Sequence, residues 1–293
     1  MLPQLLLNGF ANGCLYCLVA LGFAFIYNTT RIFHSAHGAV CTVCAYVCYL
    51  LFVRLELGLP VAAGGALLAA GAVGALLELL VYGPLYRRRA SLTVSMLSSI
   101  GIYVVLVNLV AMIFGNEPKS LRSGVSVTYK VGSVVLTQMQ AIQVLVTALV
   151  VPVVFVLLHR TRYGRMIRAA RDNARLVTVL GVNLSALRIL VFVAGSIVAG
   201  VSAVLVAVDV GMDPYGGMTT FLNGAIAVVV GGLGTFGGAI IGAMLLGLLQ
   251  GAAAWKLSGQ WTDALTLGVL ILFMLFRPEG LLGRRRRVEE IPA

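Results

Sequence analysis

Long apolar runs dominate the sequence, and they constrain the possible fold more than any other feature. A helix that crosses a membrane needs about 20 consecutive apolar residues, and several runs of that length alternate here with short polar connections. Hydrophobic residues make up 60% of the chain and charged residues only 11%, whereas a soluble domain carries about 25% charged residues. The sequence therefore predicts an all-α, polytopic bundle of transmembrane helices in a lipid bilayer.

We predict about eight or nine spans. The six longer runs are Leu5–Tyr27, Ala36–Val53, Val61–Tyr82, Leu92–Phe114, Thr137–Leu158 and Arg188–Val208. Three shorter runs follow at Met218–Gly232, Gly238–Ala254 and Asp263–Phe276. Glycines interrupt the region 218–254, which predicts either two thin spans or a re-entrant helical hairpin. Residues 1–283 are expected to form one transmembrane domain and residues 284–293 a basic tail.

The basic residues predict how the chain is oriented in the membrane. If the arginines of the C-terminal tail are cytoplasmic, 16 of the 21 Lys and Arg residues fall on the cytoplasmic side. Cytoplasmic loops of membrane proteins carry such an excess. We therefore expect a multi-pass protein of the bacterial inner membrane, with the N-terminus outside and the C-terminus in the cytoplasm. The net charge of +11 then follows from topology, and no nucleic-acid partner is expected. The outer loop 115–136 is expected to carry a short strand or hairpin.

The sequence lacks the motifs of an ATPase or of common membrane enzymes. None of its three lysines follows a glycine, so a P-loop, which cradles nucleotide phosphates, is absent. The motifs H-E-x-x-H and G-x-S-x-G are absent as well, and we predict neither catalytic residues nor a metal site. The spans contain few ionisable groups. Glu78 is expected to pair with Arg87, Arg88 or Arg89 at the membrane interface. An external energy source is therefore favoured over ion coupling.

Five cysteines lie in the first two apolar runs, two pairs of them with C-x-x-C spacing. Zinc or redox chemistry requires thiolates, which are costly to bury in hydrocarbon. We expect all five side chains to be small buried apolar groups. They are Cys14, Cys17, Cys41, Cys44 and Cys48.

The segment of about 161–187 has helical periodicity. Its charged stripe consists of Arg165, Arg168, Asp172 and Arg175. Its apolar stripe consists of Met166, Ala169, Ala170, Ala174, Val177 and Leu180. Gly181 is typical of a helix end. The pattern fits a basic helix at an anionic membrane surface, and equally a coupling helix that docks on an ATPase subunit. The two roles are compatible.

Several polar and small residues within or beside the spans are candidates for packing or for lining a pathway. A buried polar group in lipid needs a hydrogen-bond partner, and small residues four apart let helices approach closely. The candidates are Asn8, Asn12, Asn108, His37, Gly38, Gly234, Gly238 and Gly242. A local structural contact is favoured for His37 over a proton relay. Asp213 is expected at the outer face, either meeting a binding protein or capping the next helix.

Six separated motifs occur along nearly the whole chain in a fixed order. They are the opening span with Asn8 and Gly9, A-H-G at Ala36–Gly38, E-x-x-x-Y-x-P-L-x-R at Glu78–Arg87, the segment Gly164–Gly181, G-x-D-P at Gly211–Pro214 with the glycines of 231–238, and F-R-P-x-G-L at Phe276–Leu281. In these motifs the chain resembles the LivH-type permease subunits of branched-chain amino acid ABC importers. It departs from that family at His34 and Ser35, where the family usually has Asn-Phe, and at Thr235, where it commonly has Ser.

The resemblance implies a transport subunit that is not itself an enzyme. Its implied partners are a second homologous permease subunit, two cytoplasmic ATPase subunits that bind ATP and Mg²⁺, and a periplasmic substrate-binding protein. The implied substrates are branched-chain or related amino acids, moved inward by alternating access. Two rival classes stay open from the residues alone: an ion-coupled secondary carrier or channel for small polar solutes, and a membrane enzyme or scaffold.

Overall fold

The computed structural model describes residues 1–121, 127–131 and 134–283, and they form a helical bundle with one small β-hairpin. The helices are α1 Leu2–Thr30, α2 His37–Tyr49, α3 Leu59–Leu77, α4 Gly83–Arg87, α5 Leu92–Phe114, α6 Gln138–Arg160, α7 Arg162–Val179, α8 Leu184–Asp209, α9 Gly216–Gly231, α10 Phe236–Ala253 and α11 Thr262–Phe276. The strands are β1 Thr128–Val131 and β2 Val134–Thr137. The predicted basic tail, residues 284–293, lies outside the described residues.

Within the described ranges, seven helical segments are long and apolar enough to cross a membrane. They include α2 and α3 with their continuations to Arg54 and Arg87. Two shorter apolar helices, α9 and α11, accompany them. The predicted polytopic bundle is therefore confirmed. The glycine-rich region 218–254 forms a helical hairpin, in which α9 runs to Gly231 and α10 returns from Phe236.

Polar caps fix where several helices begin. The Ser91 hydroxyl accepts a hydrogen bond from Val94 N at the start of α5, and the Asn183 amide oxygen accepts one from Ala186 N at the start of α8. Thr137 and Gln140 form a reciprocal capping box at the start of α6. Such caps satisfy N–H groups that the first helical turn leaves unpaired.

Two spans contain a π-helical segment, and one of them accommodates a proline. Between α3 and α4, residues Glu78–Tyr82 are π-helical, and the N–H of Gly83 bonds to the carbonyl oxygen of Glu78. Pro84 follows directly and has no N–H to continue an α-helical ladder. The local π geometry lets the helix continue to Arg87 without a break. A second π segment, Leu50–Arg54, ends the α2 span.

Helix α1 lies at the centre of the bundle. In its most apolar stretch 83% of the residues are buried, whereas only 17% and 22% are buried in the corresponding stretches of α5 and α6. Helices α8, α9 and α10 pack directly around α1. The outer faces of α5, α6 and α11 carry large exposed apolar side chains, as expected where helices meet lipid or another subunit.

The bundle has two ends of different character. The Arg-rich end is defined here by Arg31, Arg87–Arg89, helix α7 and residues 277–283. Contacts join these parts: an Arg31 guanidinium nitrogen donates to Arg171 O at 2.9 Å, and Leu281 N donates to Val230 O at the end of α9 at 2.9 Å.

The hairpin end, opposite, is defined by the start of α1, the β-hairpin and residues 210–213. The Gln4 side chain exchanges two hydrogen bonds with the backbone of Val135 in β2. Lys119 and Met212 exchange two backbone hydrogen bonds of 2.8 Å. The predicted hairpin in the loop 115–136 is thus confirmed as β1 paired antiparallel with β2.

Candidate functional site

Helix α7 lies across the Arg-rich end, and its limits follow from local chemistry. The Thr161 hydroxyl accepts a hydrogen bond from Gly164 N at 3.0 Å, which caps the first turn. The helix kinks at Asn173, whose backbone is not helical, and the Asn173 side chain accepts a bond from Leu176 N beyond the kink. Gly181 has a φ of +82°, which favours glycine, and ends the segment as predicted.

The buried face of α7 differs from the predicted apolar stripe. Ile167, Ala170 and Val177 are buried, whereas Ala169 and Leu180 are exposed. Arg165 and Asp172 are exposed and Arg168 is half-buried, so the predicted charged stripe faces away from the bundle. Arg175 lies within α7, and its side chain is outside the part of the chain that the structure describes.

A residue that the sequence analysis passed over attaches α7 to the bundle. The Arg171 guanidinium donates to Gly234 O in the turn between α9 and α10 at 2.9 Å, and it pairs with Asp172 at 2.9 Å. The Arg171 carbonyl oxygen in turn accepts from the Arg31 side chain. Because its side chain binds Gly234 and its carbonyl oxygen binds Arg31, Arg171 holds α7 against the end of α1 and the turn of the α9–α10 hairpin.

The prediction that Glu78 pairs with Arg87, Arg88 or Arg89 was wrong. Glu78 pairs with Arg188 near the start of α8, not with the Arg87–Arg89 run. Both side chains are buried, with 3% and 4% exposed. Arg188 donates from Nε and Nη2 to the two carboxylate oxygens, the latter at 3.1 Å, and its guanidinium lies over the Tyr86 ring. The bond is bidentate, the arrangement in which arginine binds carboxylate most strongly. It joins α8 to the π segment of the third span.

Buried polar side chains surround the beginning of α2. His34 Nδ1 lies 2.8 Å from the Tyr82 hydroxyl, and its ring contacts the His37 and Phe192 rings. Among the described residues, neither ring nitrogen of His37 has a hydrogen-bond partner. His37 is fully buried, and its contacts are local ones to His34 and Phe221. These contacts fit the local structural role favoured for His37 from the sequence.

Gly38 and Gly217 allow the closest approach of α2 to α9. A Cβ at Gly38 would lie 2.9 Å from Gly217 O, a distance at which the backbones would have to move apart. One turn further, the Thr42 hydroxyl donates to Pro214 O at 3.2 Å. Gly38 is therefore a packing residue at a helix crossing.

The three glycines spaced four residues apart, Gly234, Gly238 and Gly242, do not all lie in one helix. Gly238 and Gly242 pack α10 against α9, where a Cβ would clash with the backbone of Gly231 or Ala227. Gly234 is not in the row, because it precedes α10 and adopts a φ of +95° in the turn. There its carbonyl oxygen meets Arg171.

The three asparagines behave differently. The Asn8 amide oxygen accepts from Gln4 and from Gln140 of α6, so it joins two helices. Asn12 is exposed on α1. Asn108 is exposed on α5 and donates to Val104 O of its own helix at 2.7 Å. Of the three, only Asn8 joins helices within the described chain. All five cysteines are buried and unbridged, which confirms their expected burial.

A cavity of about 160 Å³ opens at the hairpin end between α2, α8 and the beginning of α9. Asp213 lies at this cavity, and its Oδ1 accepts hydrogen bonds from Tyr215 N and Gly216 N at 2.9 and 2.8 Å. The capping role expected for Asp213 is therefore present. A second cavity, of about 230 Å³, lies at the Arg-rich end between α1, α4, α7 and α8, where Arg31, Arg171 and Arg188 line it.

The fold and these two ends define a class: a multi-pass helical membrane protein with an arginine-rich helix packed against one end. The chain belongs to the family described as branched-chain amino acid transport system / permease component, whose model matches residues 5–275. The family is therefore one of permease components of transport systems.

Relatives of this chain match it over almost their whole length. The high-affinity branched-chain amino acid transport system permease protein LivH of Escherichia coli is 31% identical over 96% of this chain and 95% of its own. The corresponding protein BraD of Pseudomonas aeruginosa is 30% identical with the same coverage. Among solved structures, PsaBC from Streptococcus pneumoniae in complex with Fab matches with a TM-score of 0.51 and 12% identity, over 94% of this chain and 92% of that one. This last likeness concerns the fold alone.

Proposed function

We propose that this chain is the membrane-spanning subunit of an ATP-binding-cassette importer and moves branched-chain amino acids into the cytoplasm by alternating access. Family membership and relatives named as branched-chain amino acid permeases support this function. The chain would work with a second homologous permease, two cytoplasmic ATPase subunits that bind ATP and Mg²⁺, and a periplasmic binding protein. The observation that carries the proposal is the basic helix α7, docked on the bundle with its charged side exposed.

The Arg-rich end is proposed to face the cytoplasm. Arg31, Arg87–Arg89 and the arginines of α7 lie together at this end, and cytoplasmic surfaces carry such an excess of positive charge. The N-terminus, the β-hairpin and the 160 Å³ cavity would then face outward. In this orientation α7 meets the ATPase subunits, and Asp213 lies on the side of the binding protein.

The contacts of α7 suggest how it transmits movement. Arg171 links α7 to the α9–α10 turn, and a connection of only four residues, 180–183, joins α7 to α8. Five residues into α8, Arg188 binds Glu78 of the third span. A displacement of α7 by an ATPase would therefore reach two helical units through short, charge-assisted contacts rather than through flexible loops.

A rival function is ion-coupled transport by the chain alone, and the adjacent buried histidines His34 and His37 are the observation in its favour. Uptake into proteoliposomes separates the two functions. We expect leucine uptake only when both permeases, the ATPases, ATP and the binding protein are present. Uptake by this chain alone, driven by a proton or sodium gradient, would refute the importer proposal.

Charge reversal on α7 tests the coupling role. Arg168→Glu places a negative charge on the side of α7 that is proposed to contact the ATPase. Gly181→Pro is incompatible with the φ of +82° at the end of the α7 segment. Each is expected to abolish stimulation of ATP hydrolysis by the loaded binding protein while the subunit still assembles into the membrane. Arg168→Lys, which keeps the positive charge at the same position, is the matched control. Unchanged stimulation in Arg168→Glu would contradict docking through α7.

A further inference from the structure

The cavity at the hairpin end has two chemically different walls. The wall from α8 and the residue that follows it is apolar and consists of Ala203, Val206, Ala207 and Val210. The opposite wall, from the beginning of α9 and the segment before it, carries the carboxylate of Asp213 and the hydroxyl of Thr220. A cavity that is apolar on one side and anionic on the other fits a ligand with an aliphatic part and a cationic part.

Asp213 has one carboxylate oxygen to offer such a ligand. Its Oδ1 is occupied by the N–H groups of Tyr215 and Gly216. Oδ2 accepts no hydrogen bond from any residue in the described part of the chain. The capping bonds hold the side chain in place, so the free oxygen has a fixed position beside the cavity. A carboxylate held in this way suits an ammonium group.

The volume of the cavity limits the aliphatic part. An apolar cavity of about 150 Å³ is known to accept a six-carbon ring, so this cavity of about 160 Å³ has room for an aliphatic side chain of three or four carbons. Gly217, which lies in close contact with Gly38, lines the cavity on the side of α9. A longer or bulkier side chain would exceed the space between α2, α8 and α9.

We propose that this cavity is a transient subsite for an aliphatic amino acid, whose side chain lies against α8 and whose ammonium group meets Asp213. The proposal rests on the function proposed above and adds a selectivity role to it. The permease chain itself discriminates between side chains by size, beyond any selection made by a binding protein. Ala203 and Val206 are the specificity-determining residues.

Substitutions that change the cavity volume test this proposal in opposite directions. Ala203→Leu fills the cavity and should lower the turnover of leucine relative to valine by about tenfold, the effect of one methylene in an apolar pocket. Val206→Ala enlarges the cavity and should raise the ratio of leucine turnover to valine turnover. Val206 is half-buried, so its truncation tests the proposal even if Ala203→Leu fails to fold. Ala148→Leu, at an exposed position of α6, is the matched control and should leave the ratio unchanged.

Asp213 is tested with two substitutions. Asp213→Asn keeps an oxygen that can cap α9 but removes the charge, whereas Asp213→Ala removes both. We expect about tenfold lower turnover for leucine and valine alike in Asp213→Asn, with an unchanged melting temperature. Normal turnover in Asp213→Asn would exclude an ammonium contact at this position.

The measurement is ATP-driven uptake by the complete reconstituted assembly, with the binding protein saturated in turn by leucine and by valine. Uptake of neither amino acid by the wild-type assembly would refute the proposed function and, with it, the subsite. Normal wild-type uptake with an identical leucine-to-valine ratio in Ala203→Leu, Val206→Ala and Ala148→Leu would refute the subsite alone. Opposite shifts in the two cavity variants would support it.

Discussion

The two ends of the molecule differ in their charged contacts, although glycines bring helices close together at both. At the Arg-rich end, the buried Glu78–Arg188 pair and the Arg171–Gly234 contact join separate helices through charge-assisted hydrogen bonds. Toward the hairpin end, glycines bring helices together: a Cβ at Gly9 of α1 would lie 2.6 Å from Gly247 O of α10. Directional bonds fit the movement between helices that we propose for the Arg-rich end, whereas close backbone packing holds α1 and α10 in a fixed relation.

The largest effect is expected at the Arg-rich end. Arg188→Ala would leave the Glu78 carboxylate buried without its partner, and removing one member of a buried ion pair typically costs about 3–5 kcal/mol. Thermal unfolding in detergent should show a large fall in melting temperature. The double variant Glu78→Gln/Arg188→Met leaves no unpaired charge and should recover much of the loss. If the double variant is no more stable than Arg188→Ala, the unpaired Glu78 carboxylate is not the cause of the lost stability.

A smaller effect is expected where glycines pack. Gly9→Ala adds a methyl group against the backbone of α10, and such overpacking costs about 1–3 kcal/mol. Gly64→Ala is the matched control, because nothing lies within 4 Å of its new Cβ, and alanine favours the helix by about 1 kcal/mol. The two variants should therefore shift the melting temperature in opposite directions. Equal shifts would show that close approach at Gly9 does not matter.

The smallest effect is expected at the Asp213 cap. Asp213→Ala removes the acceptor for the Tyr215 and Gly216 N–H groups and should destabilise the protein by about 1 kcal/mol. Hydrogen exchange at the first turn of α9 should become faster, while exchange in α1 stays the same. Unchanged exchange at Tyr215 and Gly216 would show that these bonds do not order the turn.

Local features of the fold were predictable from the sequence. Helix α5 has the predicted bounds Leu92–Phe114, because the Ser91 cap and Gly115, with a φ of +84°, are both short-range signals. The β-hairpin within and just after the loop 115–136 and the end of α7 at Gly181 follow from residues close in sequence. Hydropathy placed the remaining spans to within a few residues.

Contacts between distant helices were not predictable in this way. The partner of Glu78 is 110 residues away, and nothing in either local sequence favours Arg188 over the nearer Arg87–Arg89 run. An arginine near the start of an otherwise apolar span was a signal that it needs a buried partner. The cavity beside Asp213 depends on how three helices meet, which periodicity alone does not determine. Gly234 fitted a helical row by spacing, but the helix begins two residues later.

The most direct test of the account is cross-linking from the exposed side of α7 in the complete assembly. The five native cysteines are buried, so a new cysteine from Ala169→Cys provides a single accessible thiol among the described residues. With a short thiol-to-amine cross-linker, we predict an adduct between this subunit and an ATPase subunit, whose yield changes on ATP binding. An adduct with the periplasmic binding protein, or labelling of this cysteine by an impermeant maleimide from the periplasmic side of intact cells, would contradict the account.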